Sequence, residues 1–215
     1  VAGTWQPAAA CREATGLVDG SADRSCAVGD AGELLCWGLG FGAAPVAVEE
    51  LTEVVGVSVG DGFGCARHAN GSVRCVGSGP HGQLGNGGSA GGAVVGLDDA
   101  VDLGSRPEHS CAGRAGGQVV CWGRGTWGRL GNGDSQSAAT PVVVSGLVDA
   151  THVSLGALHS CAVRMNGRVA CWGRGDHGRL GDGTTGIAWV PVEVVGLDDA
   201  IAVAAGAERT CAVRA

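Results

Sequence analysis

The residues in this chain best suited to chemistry are its ten cysteines. Eight of them fall into four pairs: Cys26 with Cys36, Cys65 with Cys75, Cys111 with Cys121, and Cys161 with Cys171. Nine residues separate the members of each pair. Three chemistries compete for such a pair: a metal site, a redox dithiol and a structural disulfide. Zinc calls for closer Cys-x-x-Cys spacing and two further ligands. A reactive dithiol sits as Cys-x-x-Cys at the start of a helix. Neither pattern is present, and paired free thiols in a reducing compartment are the remaining alternative to a bridge.

The text between the cysteines favours the bridge. In "CAVRMNGRVAC", residues 161 to 171, the centre of symmetry is Asn166, so 164 pairs with 168, 163 with 169, 162 with 170 and 161 with 171. Met165-Asn166-Gly167 is left as a three-residue hairpin loop, a type I turn followed by a left-handed residue, where glycine is preferred. Gly32, Gly71 and Gly117 hold the same place in the other copies. With 164:168 hydrogen-bonded, 161:171 becomes a non-hydrogen-bonded pair whose Cα atoms stand ~4.5 Å apart, within the ~4.4–6.8 Å that a disulfide spans. The spacing therefore predicts four cross-strand disulfides, each worth somewhat less than ~3 kcal/mol on the chain-entropy account. Cys11 and Cys211 stand outside the pattern. They form a candidate fifth pair if the chain ends meet, although a hairpin cut short accounts for Cys211 more simply.

No other constellation points to catalysis. There is no P-loop, no G-x-S-x-G and no HExxH, so the chain reads as a non-enzyme with no cofactor and no metal. "GDG" at 181–183 and "NGD" at 132–134 lack the spaced carboxylates of a calcium loop. His109 and His159 precede Ser-Cys where other copies carry Arg24 and Arg209, which suggests a repeated hydrogen-bonding or surface role. His81, Trp127 and His177 share one place in "GPHGQLGNG", "GTWGRLGNG" and "GDHGRLGDG", which begin at 79, 125 and 175. Variable side chains at a position fixed by glycines are how a repeat scaffold presents a binding surface. The candidate binding residues are Trp127, His81 and His177, with Asp176, Arg129 and Arg179 beside them; the bland alternative is that they only cover neighbouring units. Trp127 is the best anchor, since Trp is enriched at binding hot spots. Trp37, Trp122 and Trp172, each following a second cysteine, read as packing between units, and the repeated "GLDDA" at 96–100 and 196–200 as a solvated turn.

The elements that hold these residues repeat along the chain. First cysteines are spaced by 39, 46 and 50 residues, and Cys211 continues the series at 50. Pro-Val entries divide the chain into units at about 1–44, 45–92, 93–140 and 141–190, with a half unit at 191–215. Segments such as "SCAVR" and "RVACW" alternate with period two, "AIAVAAG" is rich in strand-forming residues, and no ten-residue stretch shows a capped helical stripe. The fold class is all-β. Of 215 residues 42 are glycine, all 14 basic residues are Arg, and the net charge is −7. Dispersed Arg in an acidic chain argues against nucleic acid, and no apolar run approaches the ~20 residues of a membrane helix, so membrane insertion is not expected. Patterned cysteines point to an oxidising compartment. The chain opens on Val1, which implies either a removed targeting segment or a piece of a longer protein.

"HSCAVRMNGRVACWGRGDHGRLGDG" at 159–183, and its near copy at 109–133, resemble the repeat of the regulator of chromosome condensation family, best in its bacterial, cysteine-bearing form. The resemblance implies a β-propeller, usually seven-bladed, of four-stranded blades of about 50 residues each. The chain would then be a single propeller-type domain, 1–215, of about four and a half repeats. Three arrangements fit that count: part of a longer propeller with further blades in the parent chain, a compact four- or five-bladed ring, or self-association between chains. The expected function is non-catalytic binding of a protein or glycan through loop faces, in an extracellular, periplasmic or cell-surface setting. The alternatives are the nucleotide exchange on a small GTPase known from eukaryotic members, which patterned cysteines and acidic charge disfavour, and a purely structural module of a larger surface protein.

Overall fold

Short β-branched and alanine-rich strands, punctuated by glycine, leave the chain nothing to build but hairpins. The computed structural model describes residues 18–21, 23–48 and 51–215, and these form an all-β propeller of four-stranded antiparallel blades. The first blade runs β1 (Val18–Gly20), β2 (Arg24–Val28), β3 (Leu34–Gly38) and β4 (Gly42–Ala47). The second contains β5 (Val54–Val59), β6 (Phe63–His68), β7 (Val73–Gly77) and β8 (Gly92–Ala93). In the third are β9 (Ala100–Arg106), β10 (His109–Arg114), β11 (Val119–Gly123) and β12 (Ala138–Val143). The fourth holds β13 (Ala150–Leu155), β14 (His159–Arg164), β15 (Val169–Gly173) and β16 (Ala188–Glu193). A two-stranded sheet follows, β17 (Ala200–Ala205) and β18 (Thr210–Arg214).

Gly20, Val59, Arg106, Ala157 and Ala205 each belong to the first strand of a different sheet or to the turn just after it, and together they line one cavity of about 370 Å³. The first strands therefore gather around a common axis. Pro45, Pro141 and Pro191 lie inside the outermost strands β4, β12 and β16. An edge strand tolerates the missing N–H of proline. The blades are thus offset from the sequence units by one strand: the residues that open a sequence unit close the previous blade.

The cysteines meet across the two middle strands of each blade in the expected register. Cys26 faces Cys36, Cys65 faces Cys75, Cys111 faces Cys121 and Cys161 faces Cys171. All four pairs are disulfides, with Cα atoms 4.0–4.1 Å apart, near the non-hydrogen-bonded spacing rather than the ~5.5 Å of the alternative pair. The Cys65–Cys75 and Cys111–Cys121 bridges are buried in two successive inter-blade cores, with Cys75 and Cys121 wholly enclosed. The loop is the expected one: Arg164 N donates to Arg168 O, Gly167 N to Arg164 O, and Gly167 has φ +77°. Glycine has a second reason there. A Cβ on Gly167 would lie 2.5 Å from Asp198 O, and one on Gly117 2.5 Å from Val148 O, because each loop sits against the turn that leads into the next blade. Cys211 is exposed and unbridged among the described residues. Cys11, its candidate partner, lies outside them.

The core lies between blades, and the Trp that follows a second cysteine is its plug. Trp122, next to Cys121, and Trp172, next to Cys171, are fully buried. Their indole N–H groups donate to Gln83 O (2.8 Å) and Arg129 O (2.9 Å), each on the preceding blade. The same carbonyls accept from Ser110 and Ser160, and Arg179 O accepts from Thr210. One backbone oxygen thus takes two donors from the next blade, using both lone pairs. Gly85 and Gly131 touch the indole faces, where a Cβ would lie 2.8 Å from the ring. Trp37, in the first blade, is half-buried.

Candidate functional site

Two surfaces are available to a partner, the glycine-rich turns at one end of each blade and the hairpin loops at the other. The turns begin where the third strand ends on a glycine, and each closes by a pair of short hydrogen bonds, such as Gly128 N to Gly125 O and Gly131 N to Gly128 O. Thr126–Gly128 and Asp176–Gly178 each form one 3₁₀ turn. Within them Trp127 (φ +68°) and His177 (φ +61°) hold left-handed backbone conformations. That region is costly for a side-chain-bearing residue and persists only where surroundings enforce it. Each of the two is followed by a left-handed glycine, and Gly128 packs against Ala188 and Trp189 of the next blade's outer strand.

Trp127 is 41% exposed, and the Arg174 guanidinium of the next blade stacks 5.0 Å from its ring centroid. Arg174 is in turn ion-paired with Asp176, whose carboxyl is held below its usual range chiefly by that hydrogen bond. His81 occupies the equivalent place one blade earlier. Its Nε2 lies 3.7 Å from Glu108 of the next blade, and Glu108 also pairs with Arg124 and, at 2.9 Å, with Arg129. The carboxyl of Glu108 is lowered: burial acts against the charge, and the bonds from Arg124 and Arg129 outweigh it. Contacts therefore cross two seams, one set joining His81, Glu108 and Arg124 and the other Trp127, Arg174 and Asp176.

Four of the six candidates, Trp127, His81, His177 and Asp176, lie along this face. Arg129 and Arg179 are turned inward. Arg129 is 1% exposed, with Nε on Thr126 O and Nη1 on Glu108 and Ala157 O. Arg179 donates to Asp176 O and to Ala207 O of the following sheet. Both brace the turn that presents Asp176, Trp127 and His177. Glu108 and Arg174 join the face without having been singled out in the sequence. The signal was Cys-Trp-Gly-Arg-Gly, which places Arg124 and Arg174 at one repeat position beside the varied turn.

His109 and His159 prove to be hydrogen-bonding residues of the seam. Both are fully buried, with Nε2 at 2.9 Å from Ser160 Oγ and 2.8 Å from Thr210 Oγ1. Those hydroxyls give their own protons to Arg129 O and Arg179 O, so each imidazole carries a proton on Nε2 and donates it to the hydroxyl. Burial pushes the His159 pKa down to about 4, with the Arg179 charge adding to it. The His109 pKa is also well below its ordinary value, by burial first and then by the Arg129 charge.

At the opposite end one ion pair recurs in the third and fourth blades and in the final two-stranded sheet, whereas the second blade has His68 at that place, with Nδ1 at 2.8 Å from Thr52 O. Arg114 pairs with Asp99 at 2.8 Å, Arg164 with Asp149 at 2.9 Å and Arg214 with Asp199 at 2.6 Å. The "GLDDA" turns are therefore more than solvated connections: the second aspartate of each clasps an arginine of the adjoining hairpin. Among the described residues no helix is long and apolar enough to cross a membrane, and no group of three His, Cys, Asp or Glu side chains could hold a metal ion.

Comparison with known proteins agrees with this architecture. The family model for the "Regulator of chromosome condensation (RCC1) repeat" matches residues 116–163 and 166–213, and a second model of that repeat matches 54–83 and 150–179. Together they cover more than half of the chain. No curated protein sequence matches it. Among solved structures, Prp20p from Saccharomyces cerevisiae superposes with a TM-score of 0.76 at 19% identity, over 90% of this chain and 54% of that one. Human WBSCR16 gives 0.78 at 21% identity, over 90% and 56%. The ectodomain of the Arabidopsis thaliana receptor kinase ACR4 gives 0.58 at 19%, over 91% and 59%. The chain spans about half the length of the solved structures it matches. The interlocking Trp seams, the four-stranded blades and the matched repeats have one reading: the chain belongs to the regulator of chromosome condensation repeat family.

Proposed function

We propose that the chain is a non-catalytic, protein-binding propeller module, acting as one domain in an oxidising extracellular, periplasmic or cell-surface setting. It engages its partner through the face that carries His81, Trp127, Asp176 and His177, with Arg129 and Arg179 as the supports of that face. The observation that carries this reading is the pair of left-handed residues Trp127 and His177. A backbone conformation that disfavours side chains is used at the repeat position whose side chain varies most. Display is a sufficient reason for that cost; packing is not, because Trp127 remains 41% exposed. Arg174 stacked on the indole leaves an aromatic-cation platform flanked by carboxylates, suited to a protein surface offering both apolar and charged groups. A glycan with planar sugar faces is the second ligand class such a ring takes. The four disulfides support an oxidising setting.

The test is a binding screen of the disulfide-intact chain against an array of secreted and surface proteins, with Trp127→Ala and Asp149→Ala run in parallel. The reading requires a ligand lost with Trp127→Ala and kept with Asp149→Ala; the reverse pattern assigns binding to the opposite face and overturns it. Prp20p binds Gsp1p and histones, so exchange-factor activity is the competing role. Accelerated nucleotide release from Gsp1p by this chain would establish that role instead.

A further inference from the structure

The seam between the first and second blades lacks the indole plug of the two seams that follow it. Between the second and third blades, and between the third and fourth, the space beside the disulfides is filled by Trp122 and Trp172. In the second blade the residue after Cys75 is Val76, so no indole reaches back towards the first blade. The first blade has also lost the other half of the lock. Its third and fourth strands are joined by the tight turn Leu39-Gly40-Phe41, with Phe41 N donating to Gly38 O, where the second blade carries the whole glycine-rich turn from Gly79 to Gly87. The indole and the turn that accepts it are absent together.

What remains is a cavity of about 230 Å³ bounded by Leu34, Phe41, Val48, Val57, Phe63 and Val76. Leu34 and Phe63 are buried core residues, while Phe41, Val48, Val57 and Val76 are partly buried and pack on the same cluster as Leu34. The cavity touches the Cys26–Cys36 bridge, and its one charged lining residue is Arg24, which lies over the Phe41 ring at 6.0 Å. Two phenyl rings, three valines and a leucine offer dispersion contacts and almost no hydrogen-bonding partner. An apolar cavity of about 150 Å³ already stays dry and takes up benzene, so this one has room for a second fused ring.

We infer that the seam between the first and second blades is a binding site for a planar, uncharged aromatic molecule of about indole size, which takes the place that a tryptophan side chain occupies in the neighbouring seams. The occupant is defined by the repeat itself: the same pocket, formed by the same strands one and two blades further on, closes around an indole. Phe63, which lines the cavity, holds the register position of His109 and His159 in the later blades. This site is separate from the turn face and does not depend on the protein-binding role.

Indole is the probe. It is titrated into the disulfide-intact chain while the methyl resonances of Val48, Val57 and Val76 are followed by NMR, with Val76→Trp as the filled-cavity variant. Saturable shifts at the methyls of those three valines are expected, together with at least a tenfold loss of indole affinity and a higher Tm in Val76→Trp. Shifts at Val194 and Val203, with none at Val48, Val57 and Val76, would place indole beside β18 and overturn the assignment. No saturable shift in the wild-type chain would overturn it as well, whether or not the variant folds. Equal affinity in a folded Val76→Trp has the same meaning.

Discussion

The two ends of the blades are made from the same repeats and have been treated differently. At the hairpin end of the third and fourth blades and the final sheet, Arg114, Arg164 and Arg214 share one bond, from Nε to an aspartate Oδ1. At the turn end, one equivalent position holds His81, Trp127 and His177, each meeting a different neighbourhood. Between the ends, the second–third and third–fourth seams keep one lock: a carbonyl on one blade, and an indole and a hydroxyl on the next. A repeat keeps its chemistry where unit touches unit, because every copy must fit its neighbour. It is free to vary where the unit touches only solvent. Variation at the turn end marks that surface as the one open to specialisation.

This comparison can be broken most severely through the seam. Trp172→Ala should destabilise by about 3–5 kcal/mol in denaturant unfolding, whereas Val76→Ala, in a seam already hollow, should cost clearly less. Equal losses would mean that the first seam is as well packed as the others. Next in size is removal of one staple. The double variant Cys161→Ala with Cys171→Ala should lose somewhat less than ~3 kcal/mol, and mass spectrometry with and without reduction should find the remaining three bridges intact.

Acid should probe the buried imidazoles of the same seam. His159 is neutral in the folded chain down to about pH 4, whereas in the unfolded chain it titrates near its ordinary value of ~6.5. Between these values the unfolded state binds more protons, so stability falls as pH drops from about 6.5 to 4. His159→Gln should flatten that part of the profile. A slope unchanged by the substitution would move the acid sensitivity to another group.

Smaller still is the hairpin end. Arg164→Ala breaks a partly exposed pair and should cost about 1 kcal/mol or less, with the loss shrinking in salt. At the turn end, Trp127→Ala gives up its stacking with Arg174 and should change stability by no more than about 1 kcal/mol. A large loss there would show Trp127 to be a packing residue and remove the contrast between the two ends.

Much of this was legible in the sequence because its signals are local. The span from Cys161 to Cys171, with Gly167 at the left-handed loop position, fixes strand pairing, register and bridge without reference to the rest of the chain. Trp122 and Trp172 were also readable as seam residues from their constant place after cysteine. The inward turn of Arg129 and Arg179 was not. It depends on the 3₁₀ geometry of the turn and on carbonyls supplied by the next blade, Ala157 and Ala207, which are distant in sequence. The left-handed backbone at Trp127 and His177 was hidden as well, because nothing in a non-glycine residue announces positive φ; at Trp127 the next blade packs against the glycine that follows. The cavity had its signs in view, Val76 for Trp and a shortened first unit, but volume is a property of packing, and a pattern of letters does not add it up.

The hairpin staples carry a consequence for how the protein is made. Eight paired cysteines could join on the order of a hundred ways, yet each native bridge closes within one hairpin, across ten residues of sequence separation. Loops of that length close in roughly 10–100 ns, far sooner than distant parts of the chain meet. Each blade can therefore select and lock its own oxidation partner as soon as its two middle strands have emerged, before the next blade exists to offer a wrong one. Duplicating a blade then adds its bridge along with it, and the supply of correct pairings does not shrink as the propeller grows.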